Sequence, residues 1–159
     1  MKHQYIVRMA AFSLALVLSS CKKNILDTQP ETSISEKVAF STADKILAQV
    51  NNLYSKIQVA GFYGGRQILI KEQRGEEFSQ NDPNYSVGAS IWGQNALSND
   101  NLLNNVWTSA YAAINAANIL IDGVSSSTVI TDDQRKQYTG EAKFIRAFSY
   151  LELVQTFAQ

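Results

Sequence analysis

The apolar positions of this chain fall into four blocks separated by polar or glycine-rich stretches. The first is the continuous run Met9–Leu18. The second is periodic: Ile46, Leu47, Val50, Leu53, Tyr54 and Ile57 lie on one face of a 3.6-residue repeat, which predicts an amphipathic helix over about 42–59. Ser41-Thr42-Ala43-Asp44 reads as its capping-box start, with Ser41 accepting from the first-turn amides and Asp44 at the positive helix end. The third block begins near Asn104, where Val106, Ala110, Ile114, Ala117 and Ile121 form a stripe flanked by Trp107 and Tyr111, and Gly123 supplies a C-terminal stop. Ala110, Ala112, Ala113, Ala116 and Ala117 leave room for close helix approach, so a tightly packed helical pair is expected.

After a loop over Ser125–Val129, Thr131-Asp132-Asp133 starts a last helix. At 100° per residue, its Phe144, Ile145, Phe148, Tyr150, Leu151, Leu153, Val154 and Phe157 occupy nearly the whole circumference. A helix apolar all round is expected to be buried on several sides. The other elements are too few to cover it, so the chain reads as the N-terminal portion of a larger helical core, the alternative being that a partner chain covers the helix.

Between the second and third blocks, residues 60–100 are irregular. Gly61, Gly64, Gly65, Gly75, Gly88 and Gly93 interrupt them, Asn81-Asp82-Pro83-Asn84 signals a turn, and Gln67–Gln73 has room for a short helix. So long an irregular stretch in a compact domain either serves binding or packs as a large loop, and ligand contacts are expected there first.

The N-terminal run belongs to a different function. Lys2, His3 and Arg8 precede it, it is shorter than the roughly 20 residues that cross a bilayer, and it ends in Leu18-Ser19-Ser20-Cys21. That pattern is a bacterial lipobox, which assigns residues 1–20 to an export signal and Cys21 to lipidation. Residues 21–40, polar and containing Pro30, form a lipidated tether, and 41–159 form the helical domain. Cys21 is the only cysteine, so the domain has no disulfide or thiol ligand. Without Lys2 and Arg8 the chain carries 12 basic against 14 acidic residues, which gives no electrostatic footprint for nucleic acid.

Four segments, in order, resemble the N-terminal region of the SusD/RagB family of Bacteroidetes lipoproteins. They are Cys21 with Leu26-Asp27-Thr28-Gln29-Pro30; Phe40-Ser41-Thr42 leading to Asn52-Leu53-Tyr54; Val106-Trp107 with Tyr111, Ile114, Asn115, Asn118 and Ile119; and Gly140-Glu141-Ala142-Lys143-Phe144-Ile145-Arg146-Ala147 running on to Leu153. The resemblance implies an all-α fold of tetratricopeptide-like helix pairs, of which this is the N-terminal portion. It implies a non-catalytic lipoprotein of the outer membrane that binds nutrient glycans and serves a partner TonB-dependent transporter, with peptide capture or a protein-only scaffold as alternatives. Acidic residues do not directly follow Cys21, since Lys22-Lys23-Asn24 stand there.

Within that expectation Trp92 is the leading sugar-platform candidate, because an aromatic face covers the C–H surface of a pyranose while an amide such as Asn95 bonds its hydroxyls; the other reading of Trp92 is an anchor in the core or the loop. Tyr85, Asn81 and Asp82 share the composition. Trp107 and Tyr111 are read as core, and Glu141 and Arg146, at i and i+5, as pairing with other elements to fix the helical stack. Catalysis has few means. The single histidine is His3, so no His-assisted triad exists after residue 20 and no cofactor or metal is expected. The acid pairs Glu76-Glu77 and Asp132-Asp133 remain, but adjacent acids diverge on a helix.

Overall fold

A computed structural model describes residues 36–75, 77 and 88–158, with the side chains of 36 and 37 excepted. Cys21 and the tether to residue 35 lie outside this set, as do Asn81, Asp82 and Tyr85. The described residues form an all-α structure: α1 (Glu36–Ala39), α2 (Ala43–Ile57), α3 (Arg66–Arg74), α4 (Ala89–Trp92), α5 (Asn101–Ser125) and α6 (Asp132–Phe157). The last part of the expected tether is thus a helical turn.

Each long helix starts on a side-chain cap. Thr42, rather than Ser41, caps α2 by accepting from the Lys45 amide at 3.3 Å, while the Ser41 hydroxyl donates to the Val38 carbonyl at 2.9 Å. Asp100 caps α5 by accepting from the amides of Leu102 at 2.8 Å and Leu103 at 3.4 Å, and the Ser90 hydroxyl donates to its other oxygen. Burial works against the charge on Asp100, but these bonds outweigh it and hold its carboxyl below the usual range. Thr131 and Gln134 form a reciprocal capping box at the start of α6.

Helices α5 and α6 make the largest contact, and α2 packs against both. Helix α2 runs antiparallel to α5: Phe40, just before α2, meets Gly123 near the end of α5, and Gly61, just after α2, abuts Ser109. One core cluster joins Ile46, Val50 and Leu53 of α2 to Ala113, Ala117, Leu120 and Val124 of α5 and Tyr138, Ala142 and Ile145 of α6. A second lies toward the other end, where Phe62, Ile70 and Ile91 meet Leu102, Val106, Ala110, Ile114 and Leu153. The alanines of α5 do what their size predicts, with Ala110, Ala113 and Ala117 fully buried at helix contacts.

Gly123 does not stop α5 as expected: the helix runs on to Ser125 and Gly123 lies inside it, where any Cβ would strike the Phe40 ring. As expected from the few elements available to cover it, α6 is packed on one side only among the described residues. Its inner face carries Ala142, Ile145, Ser149, Glu152, Leu153 and Thr156, whereas Phe144 is 70% exposed and Ala147, Leu151 and Val154 continue an outward apolar stripe that no described element covers. The second half of α6 buries Glu152 and Thr156 because α3 presents Gln67 and Lys71 to them.

Candidate functional site

The polar side of α6 meets α3 in a buried cluster. The Gln67 amide nitrogen donates to Glu152 Oε2 at 2.7 Å and to Thr156 Oγ1 at 2.9 Å. Lys71 Nζ lies 2.6 Å from the same Glu152 oxygen, 3.4 Å from the Tyr63 hydroxyl and 3.2 Å from Gln155 Oε1. Arg74 then donates to the Thr156 carbonyl at 2.8 Å. Burial opposes ionisation of Glu152, but hydrogen bonds from Lys71, Tyr63 and Gln67 and the charge of Lys71 outweigh it, so its carboxyl sits below the ordinary range. Burial likewise opposes the charge on Lys71, and Glu152 and Tyr63 overcome it. The cluster has no acid free to take up a proton, and its geometry is that of a strut holding α3 to α6.

The surface with binding character lies along the α5–α6 seam. Phe157, Trp107, Tyr111 and Tyr150 form a ladder of rings, with centroids 5.1 Å apart for Phe157–Trp107, 4.9 Å for Trp107–Tyr111 and 6.5 Å for Tyr111–Tyr150. Trp107 is 44% exposed, and Tyr111 and Tyr150 are open to similar degrees. At its Phe157 end the ladder borders a groove of about 280 Å³ lined by Ser98, Leu103, Asn104, Trp107 and Phe157. A larger groove of about 550 Å³ shares Ser98, Leu103 and Phe157 with it and extends to Arg74, Ala96 and Gln155. Aromatic faces beside an asparagine, a glutamine and a serine are the pairing that a sugar needs, with C–H surface on the rings and hydroxyls on the polar groups.

This overturns the core reading of Trp107 and Tyr111. The inward meridian of α5 is held by Val106, Ala110, Ala113 and Ala117, and each aromatic follows one of these by a single residue. That 100° step carries the ring off the buried face to its edge. The signal was present as an i, i+4 aromatic pair beside the stripe rather than in it.

Trp92 is 47% exposed at the end of α4, so it is not a core residue. Asn95 is also exposed, its backbone N–H donating to the Ser90 carbonyl at 2.9 Å. The groove on this side is lined by Arg74, Ile91, Gln94 and Ala96 rather than by Trp92 or Asn95. Trp92 and Trp107 therefore present separate aromatic surfaces. Asp132 pairs with Arg135 at 2.5 Å and Asp133 with Lys136 at 3.7 Å in the first turn of α6, which accounts for both acids structurally.

Glu141 and Arg146 have the cross-element partners expected of them. The Tyr54 hydroxyl donates to Glu141 Oε2 at 2.9 Å, joining α2 to α6, and Arg146 donates to Asn118 Oδ1 at 2.8 Å, joining α6 to α5. Residues from three of the four recognised segments thus hold the three-helix stack together, so those segments form one structural unit. The chain is 28% identical over 147 residues to SusD-like protein P2 of Formosa agariphila, covering 91% of this chain and 28% of that protein. To SusD-like protein P25 of the same organism it is 23% identical over 144 residues, covering 85% of this chain and 27% of that protein. It thus spans a little over a quarter of the length of these curated relatives. No solved structure gives a significant match. Residues 24–159 match the SusD-like family model described as starch-binding and associating with the outer membrane, and the chain belongs to that family.

Proposed function

We propose that this chain belongs to a non-catalytic protein, lipid-anchored through Cys21 at the outer membrane and facing outward, that binds nutrient oligosaccharides and delivers them to a partner TonB-dependent transporter. Membership in a family described as starch-binding supports the ligand class. The observation that carries the reading is the open ladder Phe157–Trp107–Tyr111–Tyr150 with its bordering groove. Rings left half-exposed on a regular helix are already fixed by packing at one edge, so a sugar landing on them orders little that is not ordered already. The lipobox gives the means of attachment; among the described residues no helix is long and apolar enough to cross a membrane.

The outward stripe Phe144, Ala147, Leu151 and Val154 supports a second reading, in which the protein contacts only other protein. Affinity electrophoresis of the purified protein through gels containing starch and other polysaccharides separates the two. Retardation by a glycan that Trp107→Ala abolishes supports capture on the ladder. Loss in Trp92→Ala instead relocates the platform to α4, and mobility unchanged by every glycan favours the protein-only reading.

A further inference from the structure

A further groove, of about 200 Å³, lies between α2 and α5 and is lined by Gln49, Asn52, Lys56, Ala112, Asn115, Ala116, Ile119 and Leu120. Three carboxamides and one ammonium line it beside Ala112, Ala116, Ile119 and Leu120, and none of the four side chains has a hydrogen-bond or ion-pair partner among the described residues. Lys56 is half-buried, with no carboxylate among the groove-lining residues. The acids of these two helices, Asp44 and Asp122, lie toward the other end, about 15 Å or more from Lys56 along the axes.

The groove is also connected to the aromatic ladder. Trp107, Tyr111, Asn115 and Ile119 are spaced by four residues, and on a helix of 3.6 residues per turn such a row drifts about 40° per step. The ridge therefore starts at the α6 side of α5, crosses its outward crest and ends at the α2 side. Trp107 and Tyr111 stand in the ladder, while Asn115 and Ile119 line the groove. Along the axis the step from Trp107 to Asn115 is about 12 Å, so an oligosaccharide of a few units lying on the ridge reaches both.

We infer that the groove formed by Gln49, Asn52, Lys56 and Asn115 is a subsite for an anionic sugar residue, a uronate or a sulfate ester, of the same oligosaccharide that stacks on Trp107 and Tyr111. The inference rests on the glycan reading above and adds a charge requirement to it. The amides take hydroxyls in both directions, as donors and as acceptors, and Lys56 supplies the countercharge. Because the groove is open, the attraction is screened by salt.

The test is calorimetry of the purified protein with three probes: maltotetraose, tetragalacturonate, and a sulfated galactan tetrasaccharide without carboxylates. Tighter binding of one or both anionic probes at low salt is expected. Lys56→Met is expected to weaken the preferred anionic probe roughly tenfold, the worth of one charge-assisted hydrogen bond. It should weaken any maltotetraose binding less than it weakens the anionic probe, while Lys56→Arg retains the preference. The two anionic probes tell carboxylate from sulfate. Asn115→Ala is expected to weaken the anionic probe as well, with circular dichroism confirming the fold of each variant. Binding of maltotetraose alone, or an anionic preference indifferent to Lys56→Met, overturns the subsite and leaves glycan capture standing. Binding of none of the probes by folded protein overturns the subsite, and the polysaccharide gels then decide separately whether glycan capture survives.

Discussion

The strut between α3 and α6 makes an asymmetric prediction, because its two charges are buried to different depths. The Glu152 side chain is 4% exposed and that of Lys71 is 37% exposed. Lys71→Met leaves a carboxylate in the interior with only the neutral donors Gln67 and Tyr63 to bond it, and breaking a buried pair from that side costs about 3–5 kcal/mol. Glu152→Gln keeps the shape and a hydrogen-bonding oxygen, and the lysine it strands can turn to water, so the loss is about 1–3 kcal/mol. Against a domain stability of about 5–15 kcal/mol both are measurable. Urea denaturation followed by helical circular dichroism at pH 7 should place Lys71→Met below Glu152→Gln by about 1 M in midpoint, for a slope of about 1–3 kcal/mol per M.

The pH dependence follows with a definite sign. In the native protein the Glu152 carboxyl titrates below its unfolded value of about 4.3, so its contribution is present above that value and is lost as pH falls through the lowered one. In Lys71→Met burial dominates and raises the carboxyl instead, so lowering the pH from 7 to 5 should narrow the gap to native protein. A larger loss in Glu152→Gln than in Lys71→Met, or a gap unchanged at pH 5, refutes the assignment of the buried charge to Glu152.

Other substitutions probe other parts of the fold. Gly123→Ala, normally stabilising within a helix, is expected to destabilise by about 1–3 kcal/mol through overpacking against Phe40, with the loss relieved in a Phe40→Leu background. Ser149 Oγ is buried without a partner, so Ser149→Ala should be neutral or stabilising by up to about 1 kcal/mol in the same urea assay. Leu53→Ala, at the centre of the three-helix contact, should cost about 2–5 kcal/mol. Trp92→Ala should shift the midpoint little, since a half-exposed ring outside the core carries little of the stability.

The long helices were legible because their starts and their buried stripes are local. Thr131-Asp132-Asp133, Asp44 in the first turn of α2, and Val106-Ala110-Ala117 state a start or a face within a few residues. Their finer roles depended on neighbours. Whether Ser41 or Thr42 caps α2 turns on backbone geometry, and the function of Gly123 appears only once Phe40 arrives from more than eighty positions earlier in the chain. The irregular stretch drew the site prediction to Trp92 because sequence shows where order lapses. Exposure on an ordered helix is invisible until the partners of that helix are known. Glu152 and Thr156 were missed for the same reason: they are polar positions on a face buried only because Gln67 and Lys71 lie opposite.

The two tryptophans give the account its most direct test, since their indole N–H groups yield two resolvable nuclear magnetic resonance signals. The protein, ¹⁵N-labelled, would be titrated with the oligosaccharide that retards it best, after assignment of the two signals through Trp92→Phe and Trp107→Phe. Capture on the α5–α6 ladder predicts a saturable shift of the Trp107 signal with that of Trp92 unmoved. A shift confined to Trp92, or no shift of either at saturating glycan, contradicts it.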